Sequence, residues 1–156
     1  MNISNKIKTG VFFAVFCILG THNAKAQDNI GFRVGAGFGI ASGELSFAPV
    51  IDGYMKFNSG LSIEAESGLF FNGSTENTNA VLTVAPGYSI KKDMFITTIG
   101  LPIGITGTRF ATGISGNFDF IIANHFTVGL DINTLIVTGS GAYNLSSAGI
   151  VFGAIF

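Results

Sequence analysis

The 156-residue chain is short enough for one domain, and 47% hydrophobic against 11% charged residues is an unusually apolar balance. Twenty-two glycines and sixteen phenylalanines favour β-structure, because aromatic side chains fit a pleated surface and glycines permit bends and close packing. After residue 26 only five basic residues stand against nine acidic ones, so no cluster of cations is available to bind the phosphates of nucleic acid.

The first 26 residues have the pattern of a cleaved secretory signal. Lys6 and Lys8 precede an apolar segment at residues 11–19, and residues 24–26 (AKA) give the small-x-small motif read by a signal peptidase. The apolar segment is only half as long as the ~20 residues with which a helix crosses a bilayer, which favours a signal over a membrane anchor. We therefore predict a signal peptide that ends at Ala26.

Eight segments of the predicted mature domain, residues 27–156, alternate apolar with small or polar residues at the period of two that indicates β-strands. The segments cover residues 29–41, 47–57, 61–71, 80–90, 95–106, 110–122, 126–136 and 142–156. Most are close in length to the ~9 to 11 residues with which a tilted strand crosses a membrane. An even number of strands with one apolar face predicts an eight-stranded antiparallel up-and-down transmembrane β-barrel, closed between the first strand and the last.

The connections between the predicted strands fall into two sets. Those near residues 58, 92 and 124 are tight, whereas those near 43, 75, 108 and 140 are mostly longer and rich in Gly, Ser, Thr and Asn. The polar segment 72–79 is predicted to be the longest loop. Alternate connections of a meander lie on one side, so the tight set and both ends of the mature chain are assigned to the periplasm and the other set to the exterior.

Aromatic residues of outward parity are predicted to form a girdle at each lipid interface. The girdle on the tight-turn side comprises Phe32, Phe57, Tyr88, Phe95, Phe120, Phe126 and Phe156, and the opposite one Phe38, Phe47, Phe71 and Phe110. Pro86 and Pro102 fit less well, because a mid-strand proline lacks the N–H that a closed barrel uses, and we predict bulges or a shifted register there. The narrow interior can also hold the apolar residues of inward parity. These are Phe70, Ile121, Leu135, Val151 and Ile155.

Charged residues of inward parity form the candidate site. They are Arg33, Asp52, Lys56, Glu64, Glu66, Asp119 and Asp131. Glu64 and Glu66 lie two apart on one strand face, so their carboxylates could approach the separation used by glycosidases. The favoured interpretation is a structural charge network in the lumen, because buried charges need partners and nearby strands carry Arg33 and Lys56.

The strands IGFRVGAGFGIA and FTVGLDINTLIV and the terminal GIVFGAIF resemble the small outer-membrane β-barrel family of the OmpA and OmpX type, over residues 29–156. The resemblance implies a place in the bacterial outer membrane, in contact with its lipid. It also implies that the C-terminal strand, which ends at Phe156, is read by the barrel assembly machinery. Family members serve as structural, adhesive or protective surface proteins, so we expect a non-enzymatic structural or surface-interaction role with a surface partner of unknown identity.

Three other functions are weighed against this role. A soluble secreted lipocalin-like barrel would bind a ligand with its apolar faces pointing inward, and a narrow outer-membrane channel would conduct through the lumen. Lipid-modifying barrel enzymes place a histidine, a serine and an acidic residue at the outer rim, whereas His125 falls in a predicted periplasmic turn. No catalytic residue, cofactor or metal site is predicted, and loss of Cys17 with the signal removes thiol chemistry.

Overall fold

The structure is a computed structural model that describes residues 27–72, 78–123 and 125–156, without the side chains of residues 27 and 28. The predicted signal peptide and the middle of the predicted loop, residues 73–77, lie outside the described residues. No helix in the described part of the chain is both long and apolar enough to cross a membrane.

Strands account for most of the described chain. They are β1 (Gln27–Ala41), β2 (Glu44–Phe57), β3 (Leu61–Asn72), β4 (Thr78–Lys92), β5 (Phe95–Gly100), β6 (Ile103–Thr106), β7 (Arg109–Ala123), β8 (Phe126–Val137) and β9 (Tyr143–Ile155). β5 and β6 continue one another and together make the fifth barrel strand. Several strands exceed their predicted bounds by two or three residues, because residues beside the turns also pair, as Ala41 does with Glu44.

The strands pair in chain order, each antiparallel to its neighbour. β1 also pairs with β9, from Gly31 opposite Ile155 to Ala41 opposite Leu145, and this ladder closes the sheet. Closure pairs backbone N–H and C=O groups between neighbours and leaves no strand edge to water or lipid. The predicted eight-stranded antiparallel up-and-down barrel, closed between its first and last strands, is confirmed.

The register at the two mid-strand prolines differs from the prediction. The β3–β4 ladder runs through Pro86 without a shift, and β5 and β6 keep one register against both neighbours. Leu101 N donates to Pro86 O at 2.9 Å, and Gly113 N donates to Pro102 O at 3.0 Å. The prediction of bulges or a shifted register was wrong, because each proline removes only the bond of its own missing N–H, and the ladder resumes in step on either side.

Most connections are shorter than the sequence suggested. On the tight-turn side they lie between Phe57 and Leu61, between Lys92 and Phe95, and between Ala123 and Phe126. On the other side, residues 42–43 and 107–108 are also two-residue turns, so the expected difference in length is wrong for these two connections. Ser42 and Gly43, which form the turn between β1 and β2, have positive φ angles of 55° and 86°, as tight hairpin turns favour. The predicted loop 72–79 is also shortened, since β3 ends at Asn72 and β4 begins at Thr78.

The two faces of the sheet differ in chemistry. The outward face carries a continuous belt of exposed apolar side chains, such as Phe38 (65% exposed), Ile51 (62%) and Ile150 (52%). Residues of both predicted girdles are exposed or half-buried on this face, and Phe32 stacks on Phe156 with ring centroids 6.1 Å apart. The inward face carries most of the charged residues, and six of the seven in the candidate site are buried, with Glu66 half-buried. The alternation in the sequence therefore becomes an apolar outside and a charged inside.

Glycines allow β1 and β9 to approach closely where the barrel closes. Gly37 lies opposite Gly149 in this ladder. A Cβ atom added at Gly37 would overlap backbone atoms of Ala148 and Gly149. A side chain at this position would therefore force the closing strands apart.

Candidate functional site in the barrel lumen

The centre of the lumen is built around Arg33, which is 1% exposed. Its Nε donates to both carboxylate oxygens of Asp52, at 2.9 and 3.1 Å. Its Nη1 donates to Asp119 Oδ2 at 2.9 Å, and its Nη2 lies 3.2 Å from Glu64 Oε1. Arginine suits this position because its planar fork offers five N–H donors in fixed directions. One side chain of β1 thus contacts carboxylates from β2, β3 and β7.

Lys56 is the second cation of the described lumen. Its Nζ lies 3.5 Å from Asp119 Oδ2, the same oxygen that Arg33 contacts at 2.9 Å. Both cations lie over the ring of Tyr54, whose centroid is 4.4 Å from Lys56 Nζ and 4.9 Å from Arg33 Cζ. Because the face of an aromatic ring attracts cations, Tyr54 stabilises two like charges that share one carboxylate.

Glu66 and Asp131, the other two predicted residues, lie outside this ion-paired group. Both oxygens of Glu66 accept from Asn133 Nδ2, at 3.1 and 3.0 Å. Asp131 is 5% exposed and forms no ion pair with any described residue. Both carboxylates line a cavity of about 10 Å³, which is close to the lower limit for one water molecule.

Amide and aromatic side chains complete the lumen, and the sequence reasoning did not include them in the site. Asn117 Nδ2 donates to Glu64 Oε2 at 2.9 Å, and Asn133 serves Glu66 in the same way. Tyr54 contacts both cations. All three have inward parity on predicted strands, so the same period of two could have selected them. The candidate site residues had been selected by charge alone.

Apolar clusters lie in the lumen toward both ends. The cluster at the end opposite the tight turns consists of Ala41, Ala48, Phe70, Val81, Ala111, Leu135, Val137 and Leu145. The cluster at the tight-turn end consists of Tyr54, Ile96 and Ile155, with Ile121 packed against it. Val151, the remaining apolar residue predicted to point inward, is 1% exposed. Arg33 and its carboxylates therefore lie between two apolar clusters, and side chains fill this central part of the narrow interior.

Few groups in the described residues could support catalysis or metal binding. No three His, Cys, Asp or Glu side chains among them are grouped in a way that could hold a metal ion. His125 lies at the tight-turn end, with Nδ1 3.3 Å from Ile155 O. Glu64 and Glu66 are held by different amides, so they form part of a packed interior rather than a cleft open to a sugar.

Solved structures match this architecture, whereas no family model and no curated protein matches the sequence. A de novo designed transmembrane β-barrel matches with a TM-score of 0.61 at 12% identity, over 84% of this chain and 99% of that one. Neisserial surface protein A matches with 0.55 at 11% identity, over 81% and 94%. Ail, the attachment invasion locus protein of Yersinia pestis, matches with 0.54 at 12% identity, over 85% and 100%.

The chain has the fold of the small outer-membrane β-barrels. At these identities the similarity concerns the fold alone, and a designed barrel matches as well as the natural ones. Since one fold hosts many functions, activity must be argued from this chain's own surfaces and lumen.

Proposed function

We propose that this chain is an integral protein of the bacterial outer membrane with a non-enzymatic structural or surface-interaction role. The observation that carries the proposal is the exposed apolar belt around a buried charged lumen. A soluble protein rarely exposes so large a continuous apolar surface, whereas a transmembrane barrel buries it in lipid. A soluble lipocalin-like barrel requires the apolar faces inward, and here they point outward.

Cell fractionation and gel migration test the location. The mature protein is expected in the outer-membrane fraction, where a closed barrel resists detergent and runs compactly until it is boiled. Recovery of the protein in the soluble fraction, with no heat-dependent shift, would overturn the proposal.

A substitution on the belt tests contact with lipid directly. Ile150 lies in the middle of β9 and is 52% exposed, whereas Leu45 is the second residue of β2 and is 71% exposed. In a bilayer, Ile150→Arg is expected to destabilise the barrel by about 2 to 4 kcal/mol and Leu45→Arg by about 0 to 1 kcal/mol, because the cost depends on depth. On a water-exposed surface both changes would stay within about 0.5 kcal/mol. Chemical unfolding in lipid vesicles separates these outcomes, and equal small effects would contradict lipid contact.

The filled lumen supports a structural role over a channel. Arg33 and its carboxylates are at most 5% exposed, and an apolar cluster lies on either side of them. Discrete current steps are therefore not expected when the purified protein is added to a planar lipid bilayer. Reproducible steps that scale with protein concentration would favour the channel instead.

The surface partner of such a barrel would meet the end opposite the tight turns. Ail has been crystallised with the heparin analogue sucrose octasulfate. Here the described residues of that end offer one cation, Arg109, whose Nη1 already donates to Gly141 O at 3.1 Å and which lies over the ring of Tyr143. One guanidinium gives a polyanion little to bind, so we propose a partner that recognises polar, mostly uncharged turns.

Assembly of the proposed barrel would involve the last strand. In the closed barrel, Phe156 N donates to Ile30 O at 2.7 Å and β9 pairs along β1, so that edge is already occupied. Recognition of the strand ending at Phe156 by the barrel assembly machinery would therefore precede closure. Phe156 is also 75% exposed on the outward face, where a partner can contact its ring.

A further inference from the structure

The tight-turn end of the lumen contains a cavity of about 310 Å³ beneath the turns, which shares Lys56 with the central charge network. Its lining includes Asn29, Lys56, Asn58, Ser89, Lys91 and Ile96. No carboxylate is among the residues that line it. The volume is at the lower end of the range typical of small-molecule sites.

The two lysines give this cavity a local positive charge. Lys56 is 4% exposed, and its one hydrogen bond to a described residue is the 3.5 Å contact with Asp119. That oxygen already has a closer partner in Arg33, at 2.9 Å. An ammonium has three N–H donors, so Lys56 retains two that no described residue accepts. Lys91 forms no ion pair with any described residue.

Neutral polar groups surround the two cations. Asn29 and Asn58 each carry an amide that can donate, and the hydroxyl of Ser89 lies 2.8 Å from that of Thr98. Ile96, 1% exposed, belongs to the apolar cluster that closes the lumen at this end. An anion entering from the tight-turn side would therefore meet two cations and several donors above an apolar floor.

We infer that this cavity, between Lys56 and Lys91, binds a phosphate group. Phosphate presents several acceptor oxygens and at least one full negative charge, which matches two ammonium groups and neighbouring amides better than a single carboxylate would. The group could belong to a small water-soluble phosphate ester or to a phospholipid headgroup, since both present the same chemistry. The inference goes beyond the proposed function and holds whichever way the barrel is oriented.

The chain supplies a matched control in Lys92. Lys91 lies opposite Ile96 in the β4–β5 ladder, whereas Lys92 lies opposite Phe95. Ile96 is 1% exposed and Phe95 is 59% exposed, so the neighbouring lysines belong to opposite faces of the sheet. Lys91→Gln and Lys92→Gln remove the same charge at adjacent positions, but only the first removes it from the cavity.

Isothermal titration of the refolded full chain, in an uncharged detergent, tests the inference with glycerol 3-phosphate and with short-chain phosphatidylglycerol. Saturable binding of glycerol 3-phosphate identifies a soluble phosphate ester as sufficient, and binding of the lipid alone identifies a headgroup. Loss of a charge-assisted hydrogen bond corresponds to roughly a tenfold weaker Kd or more, so this is expected for both Lys56→Met and Lys91→Gln. Lys92→Gln is expected to change the Kd by less than about twofold, since Lys92 does not line the cavity and its charge, on the opposite face of the sheet, is screened by salt.

The heat-dependent gel shift verifies that each variant is folded. Should Lys56→Met fail to fold, the comparison of Lys91→Gln with Lys92→Gln decides alone. Two results overturn the inference: the absence of saturable binding of both probes to the unmodified chain, or equal weakening by Lys91→Gln and Lys92→Gln.

Discussion

Replacement of Arg33 by methionine tests whether the lumen network stabilises the barrel. The change keeps an unbranched side chain of similar length and removes the charge that contacts three buried carboxylates. After the change, Asp119 retains Lys56 and Glu64 retains the amide of Asn117. Asp52 retains no ion-pair partner among the described residues.

The expected loss of stability follows from the unpaired carboxylate of Asp52. Removal of one partner of a buried ion pair typically destabilises a protein by about 3 to 5 kcal/mol, because a charge is left without compensation. Arg33→Met should therefore lower the free energy of unfolding by about this amount. Addition of Asp52→Asn removes the orphaned charge, so the double variant should be more stable than Arg33→Met alone, with a coupling of about 1 to 3 kcal/mol.

Urea unfolding of the protein refolded into lipid vesicles measures these differences. The chain has no tryptophan, so circular dichroism and the gel shift are better signals than tryptophan fluorescence. Arg109→Met is the matched control, because Arg109 is only partly buried and contacts a carbonyl rather than a carboxylate. A loss of less than about 1 kcal/mol is expected there, as for exposed polar contacts. Equal effects of Arg33→Met and Arg109→Met would refute the argument that Arg33 compensates buried charge.

Three further substitutions test other parts of the barrel in the same unfolding assay. Gly37→Ala should destabilise the barrel by at least about 1 to 3 kcal/mol, because the added Cβ overpacks the closing strands. Gly116→Ala should be nearly neutral, because a Cβ added there would lie 4.0 Å from its nearest neighbour. Similar effects of the two changes would argue against close approach at Gly37. Tyr54→Phe should change stability little, because the buried hydroxyl has no hydrogen-bond partner among the described residues. Tyr54→Leu should destabilise the barrel by about 1 to 2 kcal/mol, because it removes the cation–π contacts. A large effect of Tyr54→Phe would show that the hydroxyl contributes to stability. Asn133→Ala should lower the free energy of unfolding by about 1 to 3 kcal/mol, because it leaves Glu66 without its amide donor. Addition of Glu66→Gln to this variant should restore part of that stability. If it restores none, the loss does not come from the carboxylate of Glu66.

The architecture could be predicted from the sequence because a barrel strand has a strict period of two. A shift of one residue would turn every apolar side chain from lipid into the lumen, so alternation determines both the strand and its outward face. The alternation of apolar and small residues is clearest in β1, where the inward positions other than Arg33 are mostly glycine. It was weakest at strand ends, where turn residues such as Ala41 and Glu44 still pair.

The register at the prolines could not be read from the same pattern. The rule against mid-strand proline concerns a missing N–H, but it does not say whether the neighbouring ladder shifts or merely loses one bond. Here the carbonyl of each proline still accepts from the opposite strand, so the sheet tolerates Pro86 and Pro102 in register. That outcome depends on pairing partners that only the closed barrel supplies.

The composition of the charge network was likewise only partly accessible. Parity selected the seven charged residues of the candidate site, but not which of them would meet, and Lys91 of the same face was not among them. Arg33 and Asp119 are 86 residues apart and lie on non-adjacent strands, so their contact requires side chains that cross a narrow lumen. Sequence proximity suggested that Glu66 would join Arg33 or Lys56, whereas the depth of Glu66 along β3 places it beside Asn133.

Depth along the barrel therefore decides the chemistry of each level of the lumen. From the tight turns inward, the described lumen begins with a cavity lined by Lys56 and Lys91 and the apolar cluster of Tyr54, Ile96 and Ile155. The Arg33 network follows, and Lys56 joins it through Asp119. Glu66 with Asp131 and a second apolar cluster complete the lumen toward the other end. The packed centre of the lumen cannot bind a partner or pass a solute without opening. The regions left for function are the lipid-facing belt, the turns at one end and the lysine-lined cavity at the other, and these are the surfaces that the lipid-contact and phosphate experiments address.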